Sequence, residues 1–529
     1  MQWQFQGNRG ELVLYFSVYL IYLIYGLCVL IGSRERILNI AKFEFSTGWP
    51  ILRSRRDDTN DELENFTQYI SDNWHWYLLH VALSRIIRKR YDHLQSLAHA
   101  LTCSFILMKT MHLVSIITFI LLLSSFYMAS KHESKKLVWF LSAIWMAAIH
   151  LIKNSEYFYT LGYTEYFTVI QLLSWTVLRG CSFGLQRIKM RKSCTEEDMQ
   201  NLYSLKNFLG YTLYFPCLIY GPFMGYQRFK RIMPQKNDRN EWKLFLLELL
   251  RALAWWLVLQ AASHYLYLHY MARDLMAVKV VDTVFGLHAI GYFMGQFFFL
   301  FYVVTYGLGI AFARYDGFHP PNKPRCIGRI HFYSDMWKYF DEGLYEFLFI
   351  HIYAELCKKH SPVLQKLFAT ALTFCFVFVW HGCHIFVLIW SILNFACLVG
   401  EKIFKYLISC PSYKDFANSK LKLQASGLQR LNAALATQVF IPAAFSNVFF
   451  ISGQDVGEYL IKGAYINGWR NYIMLTFCSY CFFQCSQVLL QIKFLAVGMK
   501  TSRNSASGSY ISTFSAGTVS VLSSIKLPH

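Results

Sequence analysis

Apolar residues along this chain gather into long runs, separated by short basic or proline-containing connections. Runs near residues 12–32, 112–129, 137–152, 163–178, 206–225, 244–271, 285–313, 366–381, 384–400, 434–452 and 471–497 approach the length of about 20 residues that a helix needs to cross a bilayer. Shorter runs near 75–87, 97–108 and 343–356 are expected to be re-entrant or interfacial. The pattern predicts an all-α polytopic membrane protein with a core of roughly 10–12 spanning or re-entrant helices.

Two polar landmarks interrupt the runs. The first, Arg53 to Gln68, contains Arg55-Arg-Asp-Asp-Thr-Asn-Asp-Glu-Leu-Glu64 and is expected outside the bilayer. Its Asn65-Phe-Thr67 is a glycosylation sequon only if that loop is lumenal; the alternative is an unmodified loop. The second runs from Arg314 to Asp335, where the prolines of His319-Pro-Pro-Asn-Lys-Pro324 end the preceding helix. A short helix is expected to restart there, with Trp337, Asp341 and Tyr345 on one face at i, i+4 and i+8. Phe340, Leu344, Phe347 and Leu348 form its apolar face, so the element dips into the membrane with Asp341 toward a polar cavity.

Composition agrees: of 529 residues, 55% are hydrophobic and 18% aromatic, and mean hydropathy is +0.30, more apolar surface than one soluble core hides. The net charge of +20, from 51 basic and 31 acidic residues, sits largely in connecting runs: Arg53-Ser-Arg-Arg56, Arg85-Ile-Ile-Arg-Lys-Arg90, Arg187-Ile-Lys-Met-Arg-Lys192 and Arg228-Phe-Lys-Arg231. Such runs mark cytoplasmic loops and anionic lipid rather than nucleic acid, which would need a soluble basic domain. The first apolar run reads as a signal anchor. The 14 cysteines lie scattered in apolar segments and read mostly as free thiols; Cys181, Cys194 and Cys410, near helix ends, are either exposed thiols or S-palmitoylated. Residues 1–499 are read as one multi-pass membrane domain with its catalytic segments at about 314–400, and 500–529 as a Ser-rich disordered tail.

Two groups do not belong in lipid without a reason: Asp341 in Trp337-Lys-Tyr-Phe-Asp-Glu-Gly343 and His381 in Val377-Phe-Val-Trp-His-Gly382. An intramembrane charge costs roughly 2.5–3.5 kcal/mol on insertion scales, so each marks a functional site with a partner, and each is expected to be the other's. A histidine in an apolar helix is equally a core residue bonded to a carbonyl, and a proton relay in a transporter uses the same residue types.

The strings Pro324-Arg-Cys-Ile-Gly-Arg-Ile-His331, Asp335-Met-Trp-Lys-Tyr-Phe-Asp-Glu-Gly343 and Phe378-Val-Trp-His-Gly-Cys383, with Arg56-Asp-Asp-Thr-Asn-Asp-Glu-Leu-Glu-Asn-Phe66 and Cys478-Ser-Tyr-Cys-Phe-Phe-Gln-Cys485 at either end, closely resemble the membrane-bound O-acyltransferase family. Within it they resemble the Hedgehog acyltransferase branch, in its insect form. In the wider family the first polar position is usually Asn; Asp341 is what this branch uses. The resemblance implies an enzyme that transfers palmitate from palmitoyl-CoA to the amino-terminal Cys of secreted signalling proteins, Hedgehog and Spitz-like ligands of the EGF receptor, in the endoplasmic reticulum or Golgi membrane. For the mechanism, His381 is expected to act as general base, its ordinary pKa being close to that of an α-amino group, and Asp341 to protonate or position the departing sulfur or orient the imidazole. The resemblance further implies Trp337 as a gate or wall of the acyl channel, with packing alone as the alternative, Asn447 near the acyl donor, with an ordinary interhelical hydrogen bond as the alternative, and haem ligation by Cys326, although a lone thiol in a polar loop is usually just a thiol. A palmitoyl chain needs an apolar home, since about 14 methylenes at ~0.8 kcal/mol each lose ~11 kcal/mol in water. A lipid acyltransferase of the same family is the rival reading; it predicts a side portal to the bilayer where a peptide acceptor predicts a wide lumenal cavity.

Overall fold

The computed structural model describes residues 7–506 apart from 42, 157–159, 232–240, 282 and 359. The long helices are α1 (Arg9–Ile40), α2 (Asp61–Arg90), α3 (Gln95–Thr110), α4 (Leu113–Lys131), α5 (Lys135–Lys153), α6 (Tyr163–Met190), α7 (Glu241–Tyr265) and α8 (Val284–Tyr315). After two short helices, α9 (Tyr333–Phe340) and α10 (Glu342–Leu348), come α11 (Val363–Trp380), α12 (Ile385–Leu407), α13 (Ala425–Ile461) and α14 (Trp469–Ala506). Side chains of Asn8, Asn60, Ser134 and Thr283 cap α1, α2, α5 and α8 by accepting from free N–H groups of the first turn, which explains why these helices begin where they do. Among the described residues no strand forms; Ser46 and Arg56 make an isolated bridge.

Nine described helices are long and apolar enough to cross a membrane: α1, α4, α5, α7, α8, α11, α12, α13 and α14. Their outward faces carry large exposed apolar side chains such as Ile21, Leu113, Leu247, Leu364 and Phe368, a belt that only lipid would cover. α8 is the enclosed one, with 72% of its apolar window buried, packed between α1, α7 and α13. Gly453, at φ 73°, kinks α13, which also contains Pro442. The expected runs at 75–87 and 97–108 lie within α2 and α3, and α14 continues to Ala506, past the expected start of the tail; residues 507–529 lie outside the described ones.

Three expectations need correction. The run at 206–225 is not a spanning helix: it forms Leu205–Thr212, one turn at Phe215–Cys217 and then extended chain, because Pro216, Gly221 and Pro222 interrupt it. This irregular segment is nonetheless buried, and its carbonyls have a partner. The buried Arg179 guanidinium of α6 donates to the Leu218 carbonyl at 2.9 Å and to the Cys217 carbonyl. The approach to α8 is so close that a Cβ on Gly309 would lie 2.9 Å from Gly221 Cα and from the Pro216 carbonyl oxygen. Second, the sequon is not in a loop. Asn65 lies inside α2, 2% exposed, with its amide donating to the Asp61 carbonyl at 2.7 Å. Third, Cys181 is fully buried and out of reach of S-palmitoylation.

Digestion with peptide N-glycosidase is therefore expected to leave gel mobility unchanged; a mobility gain that Asn65→Gln abolishes would overturn the buried placement. Arg179→Met removes the only cation bonded to the Cys217 and Leu218 carbonyls among the described residues. It is expected to lower stability by at least about 2 kcal/mol through two unsatisfied acceptors, read as a lower melting temperature of the detergent-purified protein.

Candidate active site

The site is built around a break in the short-helix pair. At Asp341 the backbone turns extended (φ −125°, ψ 86°), ending α9 and starting α10, so the expected single helix face through Trp337, Asp341 and Tyr345 does not exist. The cause is a cap. Asp341 Oδ1 accepts from the Leu344 N–H at 2.9 Å, which satisfies one of the free donors at the start of α10. Its Oδ2 accepts from the Tyr306 hydroxyl of α8 at 2.8 Å. Gly343 lies flush on the irregular segment, where a Cβ would sit 2.0 Å from the Phe223 carbonyl oxygen. Arg228, from the same part of the chain, grips α10 through Glu342 at 2.6 Å and through Glu346.

His381 is the first residue beyond α11. Gly382 and Cys383 both take positive φ, 99° and 60°, which turns the chain into α12 and leaves the imidazole at the helix end. Its ring meets Trp390 at 5.8 Å and 90°, Phe450 at 5.1 Å and 80°, and Trp380 at 4.8 Å. These edge-to-face contacts fix the ring plane without occupying its nitrogens. The Lys153 ammonium lies within electrostatic reach. No hydrogen bond joins His381 to Asp341: the carboxylate is committed to Tyr306 and the cap, so the two are not direct partners.

They do share a chamber. A cavity of about 520 Å³ is lined by both, together with Trp337, Asn447, Tyr302, Tyr306, Trp390 and Phe450, within the size range of small-molecule sites. Trp337 Nε1 donates to Asn394 Oδ1 at 2.9 Å. The Tyr333 hydroxyl donates to the same oxygen and lies 3.1 Å from both Ser446 Oγ and Asn447 Oδ1. Trp390 Nε1 reaches Asn447 Oδ1 at 3.3 Å, while Asn447 Nδ2 donates to the Ala443 carbonyl at 3.2 Å. Trp337 and Asn447 are thus tied through one polar knot. Tyr306, Tyr333, Asn394 and Glu62, which also lines the cavity, escaped sequence reasoning; a polar residue amid an apolar run was the available signal for the first and third.

Cys326 stands apart. It precedes the turn Ile327–Arg329 and does not line the cavity. Burial pushes its thiol above the ordinary value, only partly opposed by the Gly328 N–H and by Arg329, which works against the thiolate that haem iron takes. These residues are a poor fit to a haem ligand, and no step below uses that group. Among the described residues no three His, Cys, Asp or Glu side chains gather as a metal ion requires.

An all-helical membrane bundle with a His and an Asp facing one intramembrane chamber defines a class that sequence comparison makes explicit. The family model for MBOAT, the membrane-bound O-acyltransferase family, matches residues 122–446, and the chain belongs to that family. It is 53% identical over 487 residues to the Protein-cysteine N-palmitoyltransferase Rasp of Drosophila melanogaster, covering 91% of this chain and 96% of that protein. It is also similar to the Protein-cysteine N-palmitoyltransferase HHAT of Mus musculus, 29% identical over 58% of this chain and 62% of that one. A more distant likeness is to the Membrane-bound O-acyltransferase GUP2 of Saccharomyces cerevisiae, 23% identical over 55% and 45%. The resemblance read from the motif strings is borne out at the level of the family.

Because Asp341 is a helix cap as well as a wall of the chamber, Asp341→Ala is expected to cost about 0.5–2 kcal/mol of stability while Asp341→Asn, which keeps an acceptor, costs less. Thermal unfolding of the two purified variants measures the difference; equal losses would remove the capping role.

Proposed function

We propose that this chain is a protein-cysteine N-palmitoyltransferase. It moves palmitate from palmitoyl-CoA onto the amino-terminal Cys of secreted signalling proteins of the Hedgehog and Spitz-like kinds, in the endoplasmic reticulum or Golgi membrane. It works as one membrane domain over 1–499, with catalytic segments at about 314–400. The observation that carries this reading is the single chamber walled by His381, Asp341, Trp337 and Asn447, in a chain similar over 91% of its length to Rasp.

In the proposed reaction His381 accepts a proton from the acceptor's amino group as that nitrogen attacks the thioester carbonyl. The C–N bond forms, the C–S bond breaks, and the proton passes from the imidazole to the departing sulfur, giving an amide and free CoA thiol. An α-amino group titrates near 7.7–8.0 and an unperturbed His near 6.5, about one unit apart, so sharing a proton in the transition state is feasible. Among the described residues no hydrogen bond occupies a nitrogen of the His381 ring, which supports this role. Both Asp341 oxygens accept hydrogen bonds, which supports positioning of the chamber wall and of the Tyr306 hydroxyl over orientation of the imidazole. Trp337, held by Asn394, walls the acyl channel, and Asn447 sits where the thioester end of the donor would lie.

Transfer of labelled palmitate from its CoA ester to a short peptide with a free amino-terminal Cys tests the reading. His381→Ala is expected to lower the rate by about 10²–10⁴-fold, and Tyr306→Phe, which strips Asp341 of a donor, by about tenfold, the equivalent of ~1.4 kcal/mol. Wild-type protein that ignores the peptide and acylates a lysophospholipid would move the assignment to a lipid acyltransferase.

A further inference from the structure

Three carboxylates open α2, and their fates differ. Asp61 is paired with Arg273, and Glu64 with Arg56. Glu62, between them, has no hydrogen bond or ion pair among the described residues. Its side chain is accessible to water. It lines the same cavity as Asp341 and His381. The phenols of Tyr302 and Tyr306 lie in the electrostatic field of both Glu62 and Asp341, and Tyr306 is bonded to Asp341. An unpaired carboxylate on an aromatic-walled chamber is free to bond a cation that enters it. Burial and the neighbouring Asp61 push its acid upward, a penalty that a bound cation relieves.

Its position in the bundle says where such a cation comes from. Glu62 begins α2 and Arg85–Arg90 end it; Lys135 begins α5 and Lys153 ends it. The basic runs at 85–90, 187–192 and 228–231 lie toward one end: Arg191 meets Glu133 at 2.9 Å just before α5, and Arg88 and Arg228 reach the Tyr315 and Pro320 carbonyls just after α8. That end carries three of the four basic runs, against the run at 53–56 beside the start of α2, and is assigned to the cytoplasm by the positive-inside rule. Glu62, Lys153 and His384, whose ring nitrogen lies 3.4 Å from the Lys153 ammonium, therefore mark the lumenal mouth. At this mouth Glu62 attracts a positive nitrogen of a secreted peptide, while Lys153 carries the opposite charge on the His384 side.

We infer that Glu62 is the acceptor-binding residue of the chamber, holding a cationic nitrogen of the incoming polypeptide, either its amino-terminal ammonium or a Lys or Arg side chain close behind it. The inference rests on the reading of the chamber as the site of acyl transfer to a peptide. It assigns Glu62 to recognition of the acceptor and leaves donor binding to the other walls.

The test uses full-length detergent-purified wild type, Glu62→Gln and Glu62→Asp, with a short peptide carrying a free amino-terminal Cys and a single Lys, and the same peptide with norleucine for that Lys. At saturating palmitoyl-CoA, Glu62→Gln is expected to raise KM for the Lys peptide about tenfold or more, as loss of one partner of a charge pair does. KM for palmitoyl-CoA stays within about twofold, and Glu62→Asp recovers part of the loss. A raised KM that persists with the norleucine peptide assigns the cation to the amino terminus; one that disappears assigns it to the side chain. Unchanged peptide KM in Glu62→Gln, or parallel loss of donor affinity, overturns the inference. Fluorescence polarisation of labelled peptide reads binding separately: Glu62-dependent binding without transfer by the wild type counts against acyl transfer and for the acceptor site, and binding indifferent to Glu62 counts against the site.

Discussion

A buried guanidinium makes this architecture possible. Backbone that leaves the helical state inside a bilayer must find partners for its polar groups, and the segment after Leu205–Thr212 does so through Arg179, which bonds the Cys217 and Leu218 carbonyls. The segment thereby becomes a rigid shelf. Its Phe223 carbonyl meets Gly343 with no room for a side chain, and its continuation supplies Arg228 to the carboxylates of α10. Asp341, the cap of α10, is held from below by this shelf and from the side by Tyr306 of the most enclosed helix. A charge on α6 thus determines where a carboxylate sits well over a hundred residues later.

The chamber combines two requirements that conflict in water. An acyl chain favours an apolar wall, and nucleophilic transfer needs polar groups of fixed orientation. Here aromatic rings supply the wall and also hold the imidazole edge-on, while the polar groups are tied to one another or to helix ends: Trp337 to Asn394, Asn447 to Trp390 and Ala443, Asp341 to Leu344. Such ties lower the reorganisation needed when charge develops. Under the proposed function, a chamber within the bilayer would let a cytosolic thioester and a lumenal acceptor react although neither crosses the membrane whole.

Much of this was legible in the chain. Long apolar runs located the spanning helices because length and hydropathy alone decide them, and Asp341 and His381 stood out because charge is rare at such depth. What escaped depended on partners distant in sequence. The run at 206–225 reads as a helix until Arg179 is known to satisfy its carbonyls. The sequon reads as a loop until Asn60 is seen to cap α2 just before it. Asp341 and His381 read as partners because each lacks a neighbour in sequence, whereas Asp341 finds Tyr306 on α8. Glu62 was hidden in an acidic stretch that looks uniformly solvated; only the fold separates the unpaired carboxylate from its paired neighbours.

The cap at Asp341 bears on the rest of the family, where the resemblance places Asn at this position. A carboxylate offers lone pairs on both oxygens, so it takes the Leu344 N–H with one and the Tyr306 hydroxyl with the other. An amide keeps the first bond through its oxygen but presents N–H groups to the phenol. The phenol must then accept instead of donate, and its own proton turns toward the chamber. A one-atom difference at a helix start thus converts the tyrosine from a donor committed to the carboxylate into a proton source facing the reactants, and relatives with either residue would present chemically different surfaces from the same backbone.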